Sequence, residues 1–202
     1  MKRVVIVLML GSILMSGCGG SKPARFYTLT PRPQPVQLIE RPVEEDPVVA
    51  LGPISFPDFL LRPQIATYVR GNQLDYADYD RWAEPLIDNF TRVMGENLSG
   101  AIPTRFVLPY PQPGSIQFDY KITVAVSEFA LDTSGTILLT ARWNIATGGD
   151  QSSLDRDLTT VSAPVAFEKP DKIDYNKLVQ TMSDLVNELS RIIADRFKHV
   201  SP

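Results

Sequence analysis

The chain has 202 residues, 44% hydrophobic and 21% charged, the composition of a folded globular domain and not of a disordered or fibrous chain. Its 20 Lys and Arg against 23 Asp and Glu give a formal net charge of −3, which lacks the basic face a nucleic-acid partner needs. One cysteine and one histidine leave no disulfide framework and little material for metal or nucleophilic chemistry.

Met1-Lys2-Arg3 opens the chain with positive charge, and an apolar run of about a dozen residues follows from Val4 to Met15. A spanning helix needs roughly 20 apolar residues. The run is too short for that and ends in small residues, the layout of a cleaved signal peptide over 1–17. Met15-Ser16-Gly17-Cys18 resembles the lipobox of bacterial lipoproteins, with methionine where leucine is usual. The resemblance implies cleavage before Cys18, an S-diacylglycerol on its sulfur and an N-acyl chain such as palmitate on its amine. Each buried CH₂ contributes ~0.8 kcal/mol, so several chains together anchor permanently. Gly19 follows the cysteine in place of the aspartate that retains such proteins in the inner membrane, so the expected address is the outer membrane, facing the periplasm. Loss of Lys2 and Arg3 leaves 18 basic against 23 acidic residues, about −5 for the mature chain. That balance disfavours docking on anionic lipid through a polybasic patch.

Residues 18–24 form a lipidated tether to a single domain over 25–202. Arg25 to Thr30 is aromatic and β-branched and predicts a strand. The proline-rich stretch 31–46 predicts an extended surface connection. Strands are expected at 48–54, 64–69 and 73–79, the last two joined by a tight turn at Gly71-Asn72. Trp82, Leu86, Phe90, Val93 and Leu98 recur at helical spacing from Arg81 to Gly100, with Pro85 in the first turn. A short strand at 104–108 precedes a meander of 116–129, 136–145 and 156–167. Residues 172–198 predict a closing helix with Leu178, Met182, Leu185, Leu189, Ile192 and Phe197 on one face. The fold class is α+β: a mainly antiparallel sheet covered by two amphipathic helices.

No catalytic or metal constellation emerges from these residues. His199 lies near the frayed end of the last helix, where it suits the dipole. Asp75, Asp78 and Asp80 lack the spacing of a calcium loop and read as a solvated hairpin end. Gly148-Gly149 leads into a polar loop and not into a phosphate-binding helix. No cofactor is expected beyond the covalent lipid. The stretch Phe56-Pro57-Asp58-Phe59-Leu60-Leu61-Arg62-Pro63 sets four large apolar side chains between stiffening prolines. It either tucks under the sheet or displays an apolar contact patch. Trp82 is open to the same two readings.

Four features together, the lipobox, "FYTL", "LGPISFPDFLLRPQIATYVRGNQL" and "RWAEPLIDNFTRVMGENLS", resemble the PqiC (paraquat-inducible protein C) family, auxiliary lipoproteins of ABC-type and mammalian-cell-entry (MCE) transport systems. The resemblance spans nearly the whole chain. It implies a non-enzymatic component that docks a PqiB-like MCE-domain protein in intermembrane lipid transport and supports envelope integrity. Phe56, Phe59, Leu60, Leu61 and Trp82 are the expected partner contacts. The alternative is a periplasmic carrier holding acyl chains in its own cavity. A homo-oligomeric ring, paired through edge strands such as 104–108, is a further expectation.

Overall fold

The computed structural model describes residues 22–33, 39–111, 117–165 and 173–201; the signal segment and Cys18 lie outside them. In chain order the elements are β1 (Arg25–Tyr27), β2 (Val48–Ser55), β3 (Gln64–Arg70), β4 (Gln73–Trp82), α1 (Leu86–Ala101), β5 (Phe106–Pro109), β6 (Tyr120–Leu131), β7 (Thr136–Thr147), β8 (Ser153–Pro164) and α2 (Tyr175–Val200), with 3₁₀ turns at Val43–Glu45 and Asp58–Leu60.

The eight strands make one mixed sheet that forks. One edge of β6 pairs antiparallel with β7 along its whole length, from Tyr120↔Thr147 to Leu131↔Ile137, and β7 continues antiparallel into β8. The other edge of β6 is divided. Its first half takes β2 in parallel, and β2 carries β5 in parallel. Its far end meets β3 at Leu131↔Thr67, and β3 carries β4 antiparallel and then β1 parallel. The α+β class holds: the two longest ladders, β6–β7 and β7–β8, are antiparallel, and two helices pack against the sheet.

Alternation drives this arrangement. Ile137, Leu139, Ala141, Trp143 and Ile145 of β7 face the helices and are buried, while Arg142 between them is exposed. In β6 the register shifts between Val126 and Glu128, so the buried set moves from the even positions Ile122, Val124 and Val126 to Phe129 and Leu131. Phe90 of α1 is fully buried between Phe56 and Phe129, with ring centroids at 5.1 and 5.8 Å and near-perpendicular planes. Edge-to-face pairs of this kind add to the burial of their area.

Several boundaries differ from the sequence expectation. β4 runs through Trp82, so the period change falls later and α1 begins at Leu86, with Pro85 as its N-cap residue. On α2 the buried stripe passes through Ile193, fully buried, while Ile192 is half-buried, because four-residue steps from Leu189 stay on the 3.6-residue face. The Asp174 carboxylate caps α2 by accepting from the Asn176 and Lys177 amides. β1 stops at Tyr27. Residues 28–32 then leave the sheet and cross the two helices as a strap. The Leu29 amide donates to Asn89 Oδ1 at 3.2 Å, the Thr30 amide to Ser183 Oγ at 3.1 Å and the Arg32 amide to Asn97 Oδ1 at 3.0 Å. The 31–46 connection is not wholly at the surface, since Asp46 is buried beside Arg41 and Arg105 at 3.5 and 3.1 Å. Among the described residues no helix is long and apolar enough to cross a membrane.

Candidate functional site

An open groove of about 780 Å³ lies between α1 and the β2–β5 arm of the sheet, within the size range of ligand and segment-binding clefts. Helical periodicity builds one wall. Leu86, Phe90, Val93, Met94 and Leu98 turn inward, leaving Ile87, Thr91, Gly95 and Ser99, four residues apart, on the groove side. Leu51, Pro53 and Ile54 of β2 and Val107 and Pro109 of β5 form the other wall, and Tyr110 and Pro111 close one end. Asp88, Arg92 and Glu96 make a polar rim. Arg92 is held by Glu84 at 3.1 Å and Glu96 at 3.2 Å, and it also reaches the Asn89 side chain at 3.0 Å. Arg92 and Glu96 of the rim are thus paired with each other, and the floor is mostly hydrocarbon.

Two glycines shape this region for different reasons. Gly52 has φ +127° and any Cβ would overlap the Tyr110 carbonyl oxygen, so only glycine lets β2 meet the chain after β5. Gly95 has ordinary helical backbone, and a Cβ would rest 3.7 Å from Leu51 Cδ2. Its lack of a side chain therefore deepens the groove without being required by the chain's own packing.

The structure places Phe56, Leu60 and Trp82 in the core, at 9%, 4% and 6% exposure. Their packing follows from the 3₁₀ turn at Asp58–Leu60, which rolls the loop under the sheet arm, and from Trp82 ending a strand instead of starting a helix. Phe59 is half-buried with its carbonyl accepting from the Tyr76 hydroxyl at 3.2 Å. Of the five expected contacts, Leu61 alone is well exposed, at 44%. Cys18 lies outside the described residues. The hairpin aspartates also separate. Asp75 and Asp78 are exposed, whereas Asp80 is buried, 2.7 Å from Arg25 and accepting from the Tyr27 hydroxyl at 2.7 Å. Among the described residues no group of three or more His, Cys, Asp or Glu is placed to hold a metal ion. His199 Nδ1 lies 2.6 Å from the Asp195 carbonyl at the end of α2.

Sequence reasoning missed the groove and the polar seam behind it. Asn97 Nδ2 donates to Asn187 Oδ1 at 2.7 Å between the helices, and Asn89 and Asn97 are both buried. The available signal was Asn89 and Asn97, eight residues apart within the apolar stripe of α1, where buried amides need specific partners.

No curated protein matches the chain in sequence. Two solved structures share the fold at 16% identity and TM-score 0.68. One, an uncharacterized protein, covers 87% of this chain and 99% of its own; the other, a Xanthomonas campestris protein of the DUF330 family, covers 86% and 94%. A PelC dodecamer from Paraburkholderia phytofirmans aligns more loosely, at 12% identity and TM-score 0.43, over 72% of this chain and 86% of its own. The family model for the ABC-type transport auxiliary lipoprotein component matches residues 27–194, from the last residue of β1 into the closing helix. The chain belongs to that family, the auxiliary lipoprotein components of ABC-type transport systems.

Proposed function

We propose that this protein is a PqiC-like lipoprotein of the outer membrane, acylated at Cys18, that docks an MCE-domain protein from the periplasmic side in an intermembrane lipid transport system. Family membership supports the transport role, and Gly19 after the cysteine supports the outer-membrane address. The observation that carries docking is the α1–β2–β5 groove. It is apolar, open, and floored by a glycine that the fold itself does not demand. A helix or extended segment of the partner fits such a surface, with hydrocarbon against Ile87, Leu51 and Val107 and polar groups along the rim. Activity here is binding and not bond chemistry. A ring of copies joined through free strand edges belongs to the same reading, and light scattering on the lipid-free body tests it.

The decisive experiment fills the groove. Gly95→Trp should abolish recovery of the MCE-type partner in a crosslinking pull-down from membranes while leaving far-UV circular dichroism unchanged. Undiminished recovery would place docking elsewhere. The same groove also favours a second reading, a carrier holding an acyl chain along its hydrocarbon floor. Native mass spectrometry distinguishes the two, since a carrier purifies with phospholipid that Gly95→Trp displaces, and a docking module does not.

A further inference from the structure

Phe26 is 65% exposed, the largest exposure of any large hydrophobic side chain among the described residues. It stands on β1, which among the described residues is an edge strand paired with β4 alone, and no ring contact is formed by it there. Its neighbours Arg25 and Tyr27 turn the other way, onto Asp80. Two more exposed apolar side chains belong to the same arm of the sheet, Leu61 just before β3 and Val69 near its end, at 44% and 41%. Across the ladder Phe26 faces Arg81, which in turn faces Gln64, and the exposed Lys22 lies four residues before Phe26. An exposed aromatic beside the half-buried Arg81, on an arm that also exposes Asp75 and Asp78 farther back along β4, is suited to the boundary between acyl chains and headgroups.

We infer that the β1–β4–β3 arm of the sheet lies on the phospholipid leaflet in which the protein is anchored, with the Phe26 ring in the interface. The inference rests on acylation of Cys18. Chain length selects the bilayer over other occupants. Six residues lie between Cys18 and Arg25, where the sheet begins, so across the seven Cα-to-Cα steps β1 stays within about 25 Å of the anchored residue. Confined at that distance, the arm meets lipid at high effective concentration, and a modest apolar contact suffices to fix the orientation of the body. Contact through β1 turns the opposite edge, β8, away from the leaflet. β8 is five strand spacings from β1 through β7, β6, β3 and β4, or about 24 Å.

Cys18 is the sole cysteine, and acylation blocks its thiol, so an introduced cysteine carries a spin label alone. Lipidated full-length mature protein with Phe26→Cys, and separately with Leu158→Cys on β8, is labelled with a nitroxide and reconstituted in phosphatidylethanolamine–phosphatidylglycerol vesicles. Power saturation should show the label at 26 several-fold more accessible to dissolved oxygen, relative to a water-soluble nickel chelate, than the label at 158. Equal, water-like accessibility at both positions in protein that floats with the vesicles would overturn the orientation while leaving acylation intact. Protein that stays in the supernatant and takes two labels per chain would overturn acylation and the orientation with it. Dipolar broadening between labels at 26 would show a second copy covering Phe26 and would also overturn the inference.

Discussion

Gly95 and Gly52 show how one residue type serves opposite ends. In the interior of α1, glycine costs about 1 kcal/mol relative to alanine, and the added methyl at Gly95 meets only ordinary contact with Leu51. Gly95→Ala should therefore raise stability by about 0.5–1 kcal/mol in urea melts, while weakening partner recovery if the groove is the docking surface. At Gly52 the positive φ and the Tyr110 carbonyl both oppose a side chain. Gly52→Ala should cost more than about 2 kcal/mol, and a variant melting with the wild type would refute that packing. Two tyrosines add a pH signature. Burial, aided by the hydrogen bond to Asp80, pushes Tyr27 up to about 12, and burial with the charge of Asp80 pushes Tyr175 to about 12. Unfolded tyrosine ionises near about pH 10, so the unfolded chain sheds these protons first. Stability is intact below about pH 10 and falls between about 10 and 12. Tyr27→Phe should flatten that alkaline decline, as read from denaturant midpoints across the range.

Between elements, polar contacts decide how the layers are fastened. α2 is tied to β8 by Arg196, whose guanidinium makes bonds of 2.6 and 2.8 Å to Asp155 and lies over the Trp143 ring at 5.8 Å. Arg196 holds Asp155 below the usual carboxylate range. A depressed carboxylate contributes above its unfolded pKa of about 3.9 and loses that contribution as pH falls. Arg196→Gln should cost little stability at neutral pH, because the arginine is half exposed to screening solvent, and the difference should fade as the pH falls below the unfolded carboxylate value. The strap over the helices is less forgiving. Asn97→Ala leaves the Arg32 amide and the Asn187 side chain without their partner, which costs about 1–3 kcal/mol where those groups stay dry. Faster amide exchange confined to residues near 29–32 would identify the strap as the element released.

For the molecule as a whole, the anchor and the groove are separate devices on one body. β6 joins them: its divided edge carries the β3–β4–β1 arm, entered from the tether, and the β2–β5 arm, which builds the groove. The strap after β1 leads onto both helices, and through Asn89 and Asn97 it grips α1, the helix that also walls the groove. Cys18→Ser should shift the protein from the membrane fraction to the soluble periplasmic fraction without changing its melting curve. Retention in washed outer membranes would mean that the body, and not a lipid, holds it there.

The sequence by itself determined the α+β class, the two helices and the order of strands, because each rests on local periodicity and breakers: Trp143 and its alternating neighbours, the α2 stripe, the Gly71-Asn72 turn. The motifs likewise pointed to the transport-lipoprotein family. Only the tertiary structure decided which apolar residues reach solvent. Phe56 and Leu60 look as exposed as Leu61 in the linear string, and only the 3₁₀ turn and its packing on Phe90 sort them. The groove came from the same source, since Gly95, Leu51 and Val107 are brought together by pairings between distant segments that no window of sequence contains. Periodicity is a property of neighbours along the chain; concavity is a property of what the fold leaves unfilled between strangers.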